Sequence, residues 1–307
     1  MDHVEKRSIR HARLLALAEV LSASLNGPSS HRLAELVEGC ALEDRPALAR
    51  LGGDDREWLT SGLARVDEAR LHFWEAALGD LARRGVQMVD TADEDYPANL
   101  RMVHDRPPFL MVRGTLTSDD ERAVAVVGTR TPSAAGRDAV YEIARQLARR
   151  HVTVVSGLAD GIDTAAHSGA LSAGGRTIAV FGTGIDVVYP ARNRALADAV
   201  TRSGACVSQF WPSMRSARWT FPIRNLVTSG LSLGTIVAEA GETSGARLQA
   251  EAALRHGKRV FLLEQLVRAQ PWARDIAQRP NVAAVDSVDQ VVGAIELDLR
   301  TDTAVLV

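Results

Sequence analysis

Residues 123–163 read AVAVVGTRTPSAAGRDAVYEIARQLARRHVTVVSGLADGID, and the fold follows from them. Ala123 to Val127 is a run of small apolar and β-branched residues, the right length for one buried strand. Gly128-Thr129-Arg130 breaks it. Val140, Ile143, Ala144 and Leu147 then recur at helical spacing as far as Arg150. Val152 to Val155 is a second apolar strand, ended by Ser156-Gly157. Strand, glycine turn, helix and strand make a βαβ unit, which implies a parallel sheet. Such sheets bind ligands where strand ends turn into helix N-termini. The turns GTR and SGLADGID both fall there.

Outward from this unit the alternation continues. Thr177–Phe181, Ala205–Ser208, Thr235–Ala238, Val260–Leu263 and Val282–Val285 read as further strands. A helix covers Ala246 to His256. Another, from Ser287 to Glu296, closes the chain, with Ser287 as N-cap and Gln290 at the capping-box position. Upstream, Gly85–Val89 and Phe109–Val112 are strand candidates joined through Arg106-Pro107-Pro108, an extended segment. Residues 1–82 read as a helical module. Ile9, Leu14, Leu15, Ala18 and Leu21 share one face, and Ser29 or Ser30 caps a helix running from about Arg32 to Cys40. Trp58, Leu63, Val66, Leu71, Trp74 and Leu78 carry the same spacing onward. The expected organisation is a helical module over 1–82, an α/β domain over 83–300 and a tail over 301–307.

At 307 residues, 46% hydrophobic and 24% charged, the composition is that of a soluble globular chain. No apolar run reaches membrane-spanning length and the N-terminus is charged, so the expected location is the cytoplasm. A net charge of −2 argues against a uniformly basic coat but leaves room for a local basic pocket. Lys6 and Lys258 are the only lysines, so a phosphate site here must use arginine forks and backbone N–H groups. Cys40 and Cys206 lack metal-like spacing and read as reduced structural thiols.

Four features carry candidate chemistry. In Gly128-Thr129-Arg130 the glycine permits close backbone approach, the helix start favours an anion and Arg130 adds a bidentate donor. In Ser156–Asp163, either Asp160 or Asp163 caps the next helix, and His167 on that helix makes either a plain polar contact or a catalytic one. Gly182-Thr183-Gly184-Ile185-Asp186 is a third glycine turn at a strand end. In the loop Phe221-Pro222-Ile223-Arg224-Asn225, Arg224 either grips phosphate or holds a loop carbonyl. Glu239 ends a strand, where it either orients Arg130 or Arg224 or accepts from a ribose or base. No dinucleotide fingerprint, no GxxxxGK[ST] loop, no metal-spaced cluster and no nucleophile–base pair is present, so neither a cofactor, a metal nor a catalytic residue is expected.

Taken in order, GTRTPSAAG, VVSGLADGIDTAAHSGAL, GGRTIAVFGTGIDVVYPARN, FPIRNLVTSGLS and IVAEAGETSGA resemble the DprA/Smf family of DNA-processing proteins. DEDYPANL…DRPPFLMVRG resembles the approach to that family's main domain, and the likeness covers about residues 85–262. The resemblance implies an extended Rossmann-like domain, a mostly parallel sheet with helices on both faces. It also implies single-stranded DNA binding, a homodimer, and handover of DNA to the recombinase RecA during natural transformation. Carried onto this chain, it places Gly128, Thr129, Arg130, Ser133, Ser156, Gly157, Gly161, Asp163, Gly182, Gly184, Arg224, Asn225, Glu239, Ser244, Gly245 and, less directly, Lys258 at a DNA-phosphate site. Tyr189, Phe210, Trp211, Trp219 and Phe221 are candidate stacking surfaces. The chain departs from the family pattern at Ser208-Gln209, where the family has Ser-Glu, and at Leu263–Trp272, and it is expected to be a short form without the family's C-terminal winged helix. The alternative is a nucleotide-binding or nucleotide-cleaving protein related to the lysine-decarboxylase-like family, although its PGGxGT turn is not matched by Ser229–Thr235.

Overall fold

A computed structural model describes residues 3–21, 28–39 and 51–305. Among the described residues four helices open the chain: α1 (His3–Leu21), α2 (Pro28–Gly39), α3 (Gly53–Leu63) and α4 (Glu68–Arg83). Pro28 leads α2 and places Ser29 and Ser30 inside it, in keeping with proline's preference for a first helical turn. The periodicity running from Trp58 to Leu78 is cut at Asp67. Its carboxylate accepts from Arg70 N at 2.8 Å and caps α4. Cys40 lies outside the described residues.

The sheet has nine strands in the order β1-β2-β6-β5-β4-β3-β7-β8-β9. They are β1 (Val86–Asp90), β2 (Phe109–Gly114), β3 (Ala123–Val127), β4 (Thr153–Ser156), β5 (Thr177–Val180), β6 (Ala205–Ser208), β7 (Gly234–Val237), β8 (Arg259–Leu263) and β9 (Val282–Val285). β1 and β2 are antiparallel to their neighbours, and every other pairing is parallel. The intervening helices are α5 (Ala98–Arg101), α6 (Ala134–Arg149), α7 (Ile162–Ser172), α8 (Arg194–Ser203), α9 (Thr220–Gly230), α10 (Gly245–Arg255), α11 (Glu264–Ala269), α12 (Pro271–Ile276) and α13 (Val288–Val305). This is the mostly parallel, Rossmann-like α/β architecture expected from the sequence. The closing helix runs past Glu296 and continues through 301–305.

Strand alternation divides the core. Val124 and Val126 pack with α6, α7 and α13 on one face, while Ala123, Ala125 and Val127 pack toward α9 and α10 on the other. Both faces are covered, which is why β3 is apolar throughout. The helical module shares this core. Leu14, Leu36 and Trp74 join one cluster with Phe109, Met111 and Phe181, and Trp74 stacks on Trp211 at 5.0 Å. Arg10 locks the module to the first strand by donating to Asp90 at 2.9 Å. Strand order reverses between β3 and β7, so a crevice opens at their carboxyl ends.

Candidate functional site

A cavity of about 400 Å³ occupies that crevice. Its walls are the turns after β3 and β4, the inner side of α9 and the start of α10. The turns are tied to one another before any ligand is considered. Thr129 N donates to Glu239 O at 2.6 Å and Ile162 N to Thr129 O at 3.2 Å. Gly161 makes the second contact feasible. Its φ is +77°, and a Cβ there would lie 2.5 Å from Thr129 O.

Arg130 and Arg224 bring the positive charge. Arg130 is exposed, its guanidinium lies 5.2 Å from the Phe221 ring centre, and it has no hydrogen-bond or ion-pair partner among the described residues. Arg224 is 8% exposed. Its Nη1 donates to Gly157 O at 2.7 Å and Val180 O at 2.8 Å, and its Nε to Asn225 Oδ1 at 3.2 Å. It therefore holds two strand-end carbonyls and also lines the cavity, so both alternatives read from the sequence apply at once. The segment expected to be a loop is helical: Pro222 sits in the first turn of α9, where its missing N–H is harmless. Gly157 lets the guanidinium pass, since a Cβ there would fall 1.9 Å from Nη1.

Arg224 forms no ion pair among the described residues. Burial pushes its guanidinium below the ordinary value, the Asp163 charge pulls it back, and Arg130 opposes it. Burial raises the Asp163 carboxyl, against the charge of Arg224 and the N–H groups of Ala159 and Gly157. Asp163 accepts from Gly157 N at 3.1 Å and shapes that turn. Two guanidinium groups thus share the cavity with one carboxylate that is already engaged, and the site attracts anions.

The other expected residues divide. Gly128, Thr129, Asn225, Ser244 and Gly245 line the cavity. Ser244 caps α10 by accepting from Ala246 N at 3.2 Å. Gly182 borders an adjoining pocket with Tyr189 and Phe221. Ser156 lies beneath the cavity and donates to Val126 O at 2.7 Å. Gly184 packs behind it, against the Trp211–Pro212 backbone. Glu239 orients neither arginine. Its carboxylate accepts from Ser133 N at 3.1 Å and Oγ at 3.2 Å, while Ser133 caps α6.

Lys258 is a correction. It precedes β8 at the opposite edge of the sheet and donates to Ser229 O at 3.0 Å, Gly230 O at 2.7 Å and Ser232 O at 2.6 Å. There it satisfies orphan carbonyls at the end of α9, and burial pushes its ammonium down to about 7. Phe210 and Trp211 belong to the interior. Tyr189 and Phe221 stand at the cavity mouth, 6.0 Å apart, while Trp219, exposed, meets Phe210 edge-on at 6.0 Å. Thr228 and Gln249 line the cavity although neither was singled out as a site residue. The signal was helical spacing: Thr228 lies three residues after Asn225, and Gln249 three after Ala246.

His167 makes the plain contact. Thr177 Oγ1 donates to Val154 O at 2.6 Å, so the 2.7 Å bond with His167 must be donated by Nδ1–H of the ring. Burial lowers this imidazole to about 3, which keeps it neutral. Ser229, His256 and Asp105 align through bonds of 2.9 and 2.7 Å, but Ser229 is fully buried and unreachable by substrate. His11, Asp90 and Asp93 also converge, and Arg7 and Arg10 already neutralise the carboxylates there. Burial pushes the Cys206 thiol up to about 11, as expected of an inert structural cysteine. No helix among the described residues is long and apolar enough to cross a membrane.

The family model for DNA recombination-mediator protein A matches residues 87–289, which contain every wall of this cavity. The chain belongs to that family. It is 36% identical over 179 residues to DNA processing protein DprA of Bacillus subtilis, covering 58% of this chain and 60% of that one. It is 41% identical over 171 residues to its Streptococcus pneumoniae namesake, covering 56% and 60%. The chain thus spans about 60% of the length of these curated relatives. The X-ray structure of the pneumococcal DNA processing protein A superposes with a TM-score of 0.67 at 28% identity, covering 95% of this chain and 98% of that one. DNA processing protein A from Helicobacter pylori superposes at 0.61 with 23% identity, covering 69% and 96%, which establishes the shared fold.

Proposed function

We propose that this protein binds single-stranded DNA at the switch-point cavity and acts as a binder, not a catalyst, in DNA uptake and recombination. The observation that carries the reading is Arg130: an exposed guanidinium without an acidic partner, over the Phe221 ring at 5.2 Å and in one cavity with Arg224. A single strand needs cations along its phosphates and aromatic faces for its bases. Arg130 and Arg224 supply the first, and Phe221 and Tyr189 the second. Arg215 and Arg218, exposed and without ion pairs among the described residues, lie on the segment that leads into α9. The Helicobacter relative is described for its single-stranded DNA binding mode, which supports the same assignment here. Self-association, a cytoplasmic location and handover of the strand to RecA belong to the same reading and rest on family resemblance.

Fluorescence anisotropy with a labelled oligonucleotide tests it. Affinity should fall steeply with salt, with a slope of about 0.7 per phosphate contacted, and single strands should bind more tightly than duplex. Arg130→Ala that binds as well as the parent protein would refute the site.

A further inference from the structure

At the cavity mouth a third arginine is held back from the site. Arg192 follows Tyr189-Pro190 in a short 3-10 turn and its side chain is 72% exposed. Its Nε donates to Asp160 Oδ1 at 2.6 Å, and Nη2 donates to Oδ2, a two-pronged pair. Asp160 lies in the turn after β4 and lines the same small pocket as Arg130, Tyr189, Phe221 and Arg224. Both partners are fixed from behind. Asn193 Nδ2 donates to Leu158 O at 2.8 Å and Thr164 Oγ1 at 3.1 Å, which ties the Arg192 turn to the Asp160 turn. The pair is thus built into the border, and its carboxylate cancels a cation there.

We propose that Asp160 sets the affinity of this site by holding Arg192 in reserve, and that an incoming phosphodiester replaces the carboxylate on the Arg192 guanidinium. This rests on the single-stranded DNA reading above. The exchange is chemically balanced: a two-oxygen carboxylate gives way to a two-oxygen phosphate on the same N–H fork. An ion pair this exposed contributes little on its own and is readily exchanged. The cost of exchange is the bare Asp160 carboxylate left beside a polyanion, which lowers the affinity that Arg192 would otherwise confer.

The test is anisotropy titration of the full chain with a fluorescein-labelled oligothymidylate at two salt concentrations. Variants are Arg130→Ala, Asp160→Asn, Arg192→Ala and the Asp160→Asn/Arg192→Ala pair, each checked for an unchanged melting temperature. Asp160→Asn should bind about 3–10-fold more tightly, because the phosphodiester then reaches Arg192 without displacing a carboxylate or leaving one bare beside it. Arg192→Ala should bind more weakly than the parent, and in the double variant the gain should vanish. Loss of binding in Arg130→Ala with no gain in Asp160→Asn overturns this proposal and leaves the site standing. A gain that survives Arg192→Ala also overturns it, since removal of a negative charge would then be the whole effect. Absence of binding by the parent protein overturns the site itself, and this proposal with it.

Discussion

At the edge where the parallel strands begin, Arg176 meets Asp120 at 2.8 Å, Arg122 meets Glu296 at 2.7 Å and Arg259 reaches Asp298 at 2.6 Å. At the edge where they end, Arg130 has no acidic partner and Arg224 is given carbonyls instead of a carboxylate. The larger cavity, about 730 Å³, lies at the first edge and the smaller, about 400 Å³, at the second. Size therefore does not mark the site. What marks it is positive charge left uncompensated, at the point where strand order reverses and two helices start. The first edge receives helix ends, whose carbonyls favour cations, and Lys258 is buried there for that reason.

The sharpest way to break this contrast is to remove Arg224 from its place without changing it. Gly157→Val puts a side chain where the guanidinium runs. Binding of single-stranded DNA should become undetectable, and overpacking should cost about 1–3 kcal/mol in a denaturant titration. Next comes Arg130→Ala, expected to weaken binding about 10-fold while stability stays within about 0.5 kcal/mol, because no protein group depends on that side chain. Arg176→Ala makes the opposite trade. It removes the counter-ion of the buried Asp120, which keeps Thr153 Oγ1 and Thr117 N as donors, and should cost about 1–3 kcal/mol, with anisotropy unchanged. If Arg176→Ala lost as much affinity as Arg130→Ala, the two edges would be equivalent and the contrast wrong.

The smallest effect concerns pH. The Lys258 ammonium falls from 10.5 to about 7 in the folded chain. Across that window the unfolded chain binds the extra proton, so this group's contribution to stability should rise as pH rises. Comparing melting temperatures at pH 7 and pH 9 for the parent and Lys258→Met isolates it. The variant should show the smaller rise, and an equal rise would mean that the ammonium keeps its proton.

Much of the fold was legible because its signals are local. The strands β4 (Thr153–Ser156) and β6 (Ala205–Ser208) are buried throughout since both of their faces are covered, and Gly157 ends the first. The GTR turn, the SGLADGID turn and the α10 start were placed at the cavity for the same reason: any βα turn of a parallel sheet lies on one edge. Other readings failed where the deciding partner was distant. Phe221–Asn225 looked like a loop because Pro222 outweighed the helical spacing of Arg224, Val227 and Thr228, and in a first turn proline is harmless. Lys258 looked like a pocket residue because it follows a site helix, yet that helix had already crossed the sheet.

By itself the sequence determined the strands, the parallel architecture and the edge on which the candidate site lies, all consequences of hydrophobic period and turn chemistry. Only the tertiary structure decided which charges are free. Glu239 went to Ser133, Asp160 to Arg192 and Arg224 to two carbonyls. His11 met Asp93, residues far apart in the chain, at 2.8 Å. Charge pairing depends on which strand ends and helix caps arrive side by side after the crossovers. That is a property of the whole sheet, and no short stretch of chain encodes it.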